Sequence, residues 1–173
     1  PGDTPGALAR SLAAPQARPA PQGVASAQAA TANADALRFR LAAVLAGGAL
    51  WLEELVDAPL AREQVALVQA MARACGWAGD APRVQEFAWP LHRNPQLDQS
   101  AAAAAAALQA FLARLVGEAG PDRILLLGAG AGQRAGELAL PVPAVALPST
   151  RQMLAGAAAK REAWAVLREL ARR

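Results

Sequence analysis

The sequence predicts an α/β fold for residues 36–173, because patterns typical of strands alternate along the chain with patterns typical of helices. Residues 124–127 form a continuous apolar run, as expected for a strand covered on both faces inside a parallel sheet. Apolar residues recur at three- and four-residue spacings, the period of an amphipathic helix, at Val65, Val68, Met71, Ala72 and Cys75.

The chain of 173 residues has room for one such domain, preceded by a segment of different composition. Residues 1–35 consist largely of Pro, Ala, Gly, Gln, Ser and Thr, and their larger apolar residues are Leu8, Leu12 and Val24. So little apolar surface cannot offset the entropy of ordering the backbone. We therefore expect a flexible, disordered Pro/Ala-rich linker at 1–35 and a single α/β domain at 36–173.

The first predicted elements of the domain are a hairpin and a helix. Apolar residues from Leu37 to Leu41 alternate with Arg38 and Arg40, the period of a half-buried strand. Gly47-Gly48 then predicts a two-residue turn that returns the chain into a second strand at 49–52. The amphipathic helix follows and ends at Gly76, where a helix-ending glycine is expected.

A strand is predicted at 83–87, followed by a long helix that Asp98 or Ser100 can cap. Gly117 and Gly120-Pro121 are expected to end this helix. After the strand at 124–127, a glycine-rich turn leads into a short helix around 134–138. The remaining elements are a strand at 142–147 and helices at 151–155 and 160–170.

The charge of the chain is concentrated near its end. The formal net charge is +3, and residues 123–173 carry seven Arg and one Lys against three acidic residues, a local balance of +5. Such a basic face is either a solvated helix surface or a contact surface for an acidic protein or for DNA. The residues that would form this contact surface are Arg151, Lys160, Arg161 and Arg168.

Several classes of protein are disfavoured by the composition. Cys75 is the single cysteine, which excludes an intramolecular disulfide and the usual multi-cysteine zinc and iron–sulfur sites. No stretch offers roughly 20 bulky apolar residues, so no membrane association is expected. We expect no metal and no cofactor. We also expect a cytoplasmic location, and a lone cysteine is consistent with that reducing compartment.

Three groups of residues are of the types found in ligand-binding or catalytic sites. Gly128 to Gly132 after an apolar strand is either a phosphate cradle or a tight strand-to-helix turn. The acidic residue expected about 20 positions later in a dinucleotide site is absent, which favours the turn. His92 lies in a loop where α/β sites collect, although a lone loop histidine is more often polar surface.

Glu53, Glu54 and Asp57 could act as paired carboxylates in general acid and base work. Adjacent residues on a strand point to opposite faces, so Glu53 and Glu54 need not share a site, and a solvated strand end is the simpler interpretation. Trp89 and Trp164 can each stack on a base or anchor a partner, or can fill the core of a domain that has no Tyr.

The order of several motifs between residues 84 and 170 is more specific than any one of them. In chain order they are Trp89-Pro90, Arg93-Asn94-Pro95, Ala110-Phe111-Leu112, the Pro-Asp-Arg-Ile-Leu-Leu-Leu-Gly-Ala-Gly-Ala run at 121–131, Met153-Leu154 and Lys160-Arg161-Glu162-Ala163-Trp164. This order resembles the second half of the uracil-DNA glycosylase superfamily, especially its bacterial iron–sulfur branch. The resemblance implies a three-layer αβα fold around a mainly parallel sheet.

The catalytic motifs of that superfamily are missing from this sequence. The family's His-Pro-Ser loop corresponds here to Leu147-Pro148-Ser149-Thr150, which has no histidine, and 51–59 does not match the Gly-Glu-x-Pro-Gly motif. Base excision requires groups that read the flipped base and stabilise the departing anion. The resemblance therefore implies a non-enzymatic member with a vestigial cleft formed by Glu53, Trp89, His92, Asn94, Gly128 and Ser149.

Psi-type subunits of bacterial clamp loaders are non-catalytic proteins with this frame. The resemblance to them implies an adaptor in DNA replication by DNA polymerase III, with clamp-loader subunits and a chi-like subunit as partners and with indirect contact to nucleic acid. Three alternatives stay open: a divergent glycosylase that uses Glu53, His92 or Asn94, another nucleic-acid-binding protein of that superfamily, and a nucleotide-binding protein that uses Gly128 to Gly132.

Overall fold

The computed structural model describes residues 37–77, 79–92, 94 and 96–172. The predicted linker at 1–35 lies outside these residues. The described elements, numbered in chain order, are β1 Phe39–Ala46, β2 Ala49–Glu54, α1 Arg62–Ala74, β3 Arg83–Trp89, α2 Ala101–Ala119, β4 Arg123–Leu127, α3 Gly128–Ala135, β5 Ala144–Leu147, α4 Thr150–Ala155 and α5 Ala157–Ala171.

The five strands form one mixed sheet in the order β3-β1-β2-β4-β5. β1 is antiparallel to both of its neighbours, β2 and β3, whereas β4 is parallel to β2 and to β5. Four strands therefore run in one direction and β1 runs against them. The α/β prediction is confirmed, and so is the interior, parallel position of the apolar strand β4.

β1 and β2 form the predicted hairpin. Gly47 and Gly48 both have positive φ, at 61° and 68°. This pair of values matches the two-residue turn whose twist suits antiparallel strands, and glycine adopts it without steric cost. The turn sets the register in which Ala46 lies opposite Ala49 and Leu41 opposite Glu54.

Helices cover both faces of the sheet. Alternate strand residues point to opposite sides, so each face has its own set of apolar side chains to bury. α2 and α3 pack on one face, where the buried residues include Leu41, Leu52, Leu108, Leu112 and Leu126. α1, α4 and α5 pack on the other, where the buried residues include Trp51, Val68, Leu125, Met153 and Leu167.

The short helix after β4 begins earlier than the sequence predicts. It was expected around 134–138, but α3 spans Gly128–Ala135, so the glycine-rich stretch is itself helical. Gly128 has φ of 80°, which lets the chain turn directly from strand to helix. The alanine methyl groups at Ala131 and Ala135 are then fully buried against the sheet, and this packing offsets the low helix propensity of glycine.

α2 shows how capping and packing define a helix. The Ser100 hydroxyl accepts the Ala103 N–H at 3.2 Å and so acts as the cap, while Asp98 accepts the Ser100 N–H at 2.9 Å. Gly117 lies inside the helix, and Gly120 ends it in a left-handed conformation. Among the described residues, α2 is the one helix long and apolar enough to cross a membrane by length and composition. Its largest apolar side chains instead pack on the sheet.

Candidate functional site at the carboxyl edge of the sheet

The parallel strands β2, β4 and β5 end at one edge of the sheet, here called the carboxyl edge. This edge brings together three of the six predicted cleft residues: Glu53 at the end of β2, Gly128 after β4 and Ser149 after β5. All three line a hollow of about 230 Å³. A second hollow of about 430 Å³ lies beside Gly128 and Leu147 and does not include Glu53.

The Glu53 carboxylate is buried at this edge, with 4% of the residue exposed. Its Oε1 accepts the backbone N–H of Thr150 at 2.9 Å, and its Oε2 accepts the Thr150 hydroxyl at 2.5 Å. Burial raises the pKa of Glu53, while hydrogen bonds from Thr150 and from the Arg151 N–H act in the opposite direction. Both oxygens of the carboxylate are therefore used inside the protein.

The network continues from Thr150 into α1. The Thr150 hydroxyl accepts the side-chain amide of Gln64 at 2.6 Å, and the carbonyl oxygen of that amide accepts the Ala61 N–H at 2.9 Å. Gln64, Glu53 and Thr150 are the buried polar residues of the described chain. Together they join the beginning of α1, the end of β2 and the beginning of α4. Neither Gln64 nor Thr150 is predicted as a site residue from the sequence.

A polar residue within an apolar helix stripe is the pattern that could have identified Gln64. It lies four residues before Val68 and eight before Ala72, and all three are buried. A polar side chain at such a position needs an internal hydrogen-bond partner. The partner, however, lies 86 residues away along the chain, so the sequence alone does not identify it.

Ser149 caps α4. Its hydroxyl accepts the Gln152 N–H at 3.1 Å, and the Gln152 side chain accepts the Ser149 N–H at 2.9 Å. This reciprocal pair satisfies backbone donors at the helix start. A Cβ at Gly128 would lie 2.9 Å from the Ser149 Cβ, so glycine is required where the two helix starts meet. Ser149 and Gly128 thus have structural roles at the carboxyl edge.

Glu54 points to the other face of the sheet, as the strand period predicts. Its carboxylate pairs with the Arg134 guanidinium at 3.4 Å, and that guanidinium lies 4.5 Å from the Phe39 ring centroid. The interpretation of a solvated strand end is wrong for both glutamates, because Glu53 is buried and Glu54 is half-buried in an ion pair. Asp57 is exposed in the loop that follows.

The glycine-rich helix start is in contact with the protein's own carboxylate. A Cβ built on Gly130 would overlap the Oε2 atom of Glu54, so the Glu54 side chain lies directly against the first turn of α3. A phosphate approaching this turn would meet a negative charge at close range. The contact therefore favours the strand-to-helix turn over the phosphate cradle.

The other three predicted cleft residues line neither hollow. Trp89 is buried opposite Phe39 at the end of β3, and its indole Nε1 lacks a hydrogen-bond partner within the described part of the chain. His92 and Asn94 are exposed in the loop after β3. The Asn94 side chain accepts the Gln96 N–H at 3.0 Å, a local loop contact.

The predicted basic residues are all exposed. Arg151 lies on α4 and lines the smaller hollow, whereas Lys160, Arg161 and Arg168 lie on α5. None of the four takes part in the ion pairs found among the described residues, where the pairs join other arginines to Glu and Asp. Over the same described residues, no three His, Cys, Asp or Glu side chains lie close enough to hold a metal ion.

Comparison with protein-family models, with curated proteins and with solved structures finds no match to this chain.

Proposed function

We propose that this chain is a non-enzymatic adaptor subunit in bacterial DNA replication that resembles the psi subunit of the clamp loader. In this role it links the loader to a chi-like subunit, and through it to single-stranded-DNA-binding protein, in the cytoplasm. The proposal rests on the motif order between residues 84 and 170. The observation that carries the non-enzymatic part is the buried Glu53, whose two carboxylate oxygens both accept hydrogen bonds from Thr150.

A raised carboxyl pKa is often a mark of a general base, so Glu53 is the strongest candidate for catalysis. A general base must reach the proton that it removes, directly or through one water. Glu53 is 4% exposed, and both of its oxygens accept hydrogen bonds that hold α4 to β2, so little of the carboxylate is accessible to a water or a substrate. A structural role for this carboxylate follows.

The sizes of the two hollows support the same view. Small-molecule sites occupy roughly 300–1,000 Å³. The hollow that contains Glu53 has about 230 Å³, below this range. The larger hollow, of about 430 Å³, has Glu162 and Gln152 as polar lining residues and lacks Glu53, His92 and Asn94. Neither of these two hollows combines a sufficient volume with the residues that the divergent glycosylase would use.

Two assays with the full chain test the proposal. The chain is mixed with a purified bacterial clamp-loader complex that lacks its own psi subunit, with and without the chi subunit, and analysed by size-exclusion chromatography with light scattering. We expect a stoichiometric complex. The same preparation is incubated with uracil-containing single- and double-stranded DNA, and we expect no excised uracil.

The proposal fails if the folded chain elutes apart from every clamp-loader component. It also fails if uracil is excised and the activity is lost in Glu53→Gln or His92→Ala, which would establish the divergent glycosylase instead. Circular dichroism of each variant distinguishes lost activity from lost structure.

A further inference from the structure

An apolar groove lies between α1 and α5, on the sheet face opposite α2. Its floor includes Met153 and Leu167, which are fully buried, and its α5 wall includes Trp164, of which 41% is exposed. The α1 wall is formed by Leu67, Ala70, Met71 and Ala74. The eighth lining residue is Lys160, and these eight residues define the α1–α5 groove.

The shape of the groove suits side chains rather than a free small molecule. Its volume is about 220 Å³, below the roughly 300–1,000 Å³ of small-molecule sites. Ala70 and Ala74 lie one turn apart on α1, so the small methyl groups leave the space open beside Trp164. Two or three apolar side chains of a helix, spaced by three and four residues, can enter such a groove.

The charge around the groove is positive on its α5 side. Lys160, Trp164 and Arg168 are each four residues apart and so follow one another along one side of α5. Both cations are exposed and form no ion pair within the described chain. Glu63 lies one turn before Leu67 on α1, outside the lining residues. An occupant with carboxylates beside its apolar residues would meet unpaired positive charge on both sides of Trp164.

We propose that the α1–α5 groove binds an acidic amphipathic helix of a partner protein. Trp164 and the apolar floor receive the helix's apolar residues, and Lys160 and Arg168 pair with its carboxylates. A nucleic-acid strand fits less well, because a base inserted beside Met153 and Leu167 would leave its polar edge without hydrogen-bond partners. The inference rests on the proposed adaptor function and names the chemistry of its partner.

Selection from a phage-displayed library of 16-residue peptides on the immobilised full chain tests the groove. We expect the selected peptides to carry two or more acidic residues and large apolar residues at three- and four-residue spacings. Synthetic fluorescein-labelled copies are then titrated with the protein in fluorescence anisotropy, at low and at high salt. We expect binding to weaken at high salt, because exposed charge pairs are screened.

Two variants locate the peptide. Ala70→Trp fills the groove from an exposed helix position, and Lys160→Glu/Arg168→Glu reverses the charge on both sides of Trp164. We expect each to weaken binding at least tenfold. Arg62→Glu/Arg73→Glu is the matched control: it makes the same change of net charge at exposed α1 positions outside the groove lining. We expect its affinity to equal that of the unmodified chain.

Several results would overturn the proposal. Selected peptides that are neutral or basic exclude an acidic helix in this groove. Selected peptides that bind Ala70→Trp with the affinity of the unmodified chain exclude it too, as does the absence of any selected peptide. A dimer in light scattering that Ala70→Trp disrupts assigns the groove to a second copy. If a 20-nucleotide oligothymidine displaces the peptide, and if the oligothymidine no longer binds Ala70→Trp, the groove is assigned to single-stranded nucleic acid.

The outcome can be separated from that of the proposed function. If the chain forms the clamp-loader complex but no acidic peptide enters the groove, the adaptor function stands and the groove assignment falls. If acidic peptides bind in the groove while every clamp-loader component elutes separately, the groove assignment is supported and the assignment of clamp-loader subunits as partners is wrong.

Discussion

The carboxyl edge of the sheet and the α1–α5 groove use their polar residues in opposite ways. At the carboxyl edge, Glu53, Thr150 and Ser149 form hydrogen bonds inside the protein. Beside the groove, Lys160 and Arg168 are exposed without an ion-pair partner in the described chain. The polar residues of the first region stabilise the fold, whereas those of the second remain available to another molecule. Substitutions in the two regions should therefore differ sharply in their effect on stability.

The largest effect is expected at Gly128, where the carboxyl edge is most tightly constrained. Gly128→Ala places a Cβ 2.9 Å from the Ser149 Cβ at a residue whose φ is 80°. We expect a loss of about 2–3 kcal/mol or more in the free energy of unfolding, because steric overlap adds to backbone strain. Urea unfolding followed by circular dichroism measures it.

Gly132→Ala is the matched control within the same helix. A Cβ at Gly132 meets no atom within 4 Å, and its φ is not positive. We expect this variant to gain about 0.5–1 kcal/mol, since alanine is the better helix former. Equal losses for the two variants would contradict the close contact at Gly128.

Removal of the Thr150 hydroxyl breaks the buried network at its centre. Thr150→Val keeps the shape of the side chain but leaves the Glu53 Oε2 atom and the Gln64 amide without their shared partner. We expect a loss of about 1–3 kcal/mol, the cost of leaving buried polar groups unsatisfied. Denaturant unfolding of Thr150→Val and Thr150→Ser separates the hydroxyl from the methyl group. A loss in Thr150→Ser as large as in Thr150→Val would argue that the network contributes little.

A smaller, pH-dependent effect is expected from Glu53. Burial raises its pKa in the folded protein above the ordinary value of 4.5. Because the folded state then holds the proton more tightly, Glu53 contributes stability that is fully present below the ordinary pKa and is lost as the pH rises through the folded pKa. We expect the unmodified protein to lose stability relative to Glu53→Gln on going from acidic pH to pH 7. A constant difference across urea titrations at pH 4, 5, 6 and 7 would contradict this expectation.

The smallest effect is expected beside the groove. Lys160→Glu/Arg168→Glu changes exposed residues that have no ion-pair partner in the described chain, so we expect the free energy of unfolding to change by no more than about 0.5 kcal/mol. Thermal and urea unfolding measure it. A loss above about 1 kcal/mol would mean that these cations stabilise the fold, and the contrast with the carboxyl edge would disappear.

Local patterns were sufficient to predict most of the elements. The strand period and Gly47-Gly48 predicted the β1–β2 hairpin, and the helix period predicted α1 and its end. The sequence predicts too late a start for α3, because glycine has a low helix propensity. Its close contact with Glu54 depends on the β2–β4 pairing, which the sequence does not reveal.

The candidate site was harder to predict, because its contacts join residues that are distant along the chain. Glu53 and Thr150 are 97 residues apart, and the sheet order places them together. The type of residue also does not determine its exposure. The sequence leaves both core and surface roles open for Trp89 and Trp164, yet Trp89 is 7% and Trp164 41% exposed. The packing of whole elements, rather than the local sequence, determines which of the two tryptophans is buried.

The position of β1 has a consequence for the order of folding. β1 meets β2 across the two-residue turn at Gly47 and Gly48, whereas β2 meets β4 only after the whole stretch from Glu54 to Arg123 is arranged. Pairings that close short loops form in microseconds, and those between distant segments form later. We expect the hairpin to form early and to present β1 as the template on which β3 pairs. The two glycines then set the register at the first step of folding, before the slower pairing of β2 with β4 completes the sheet.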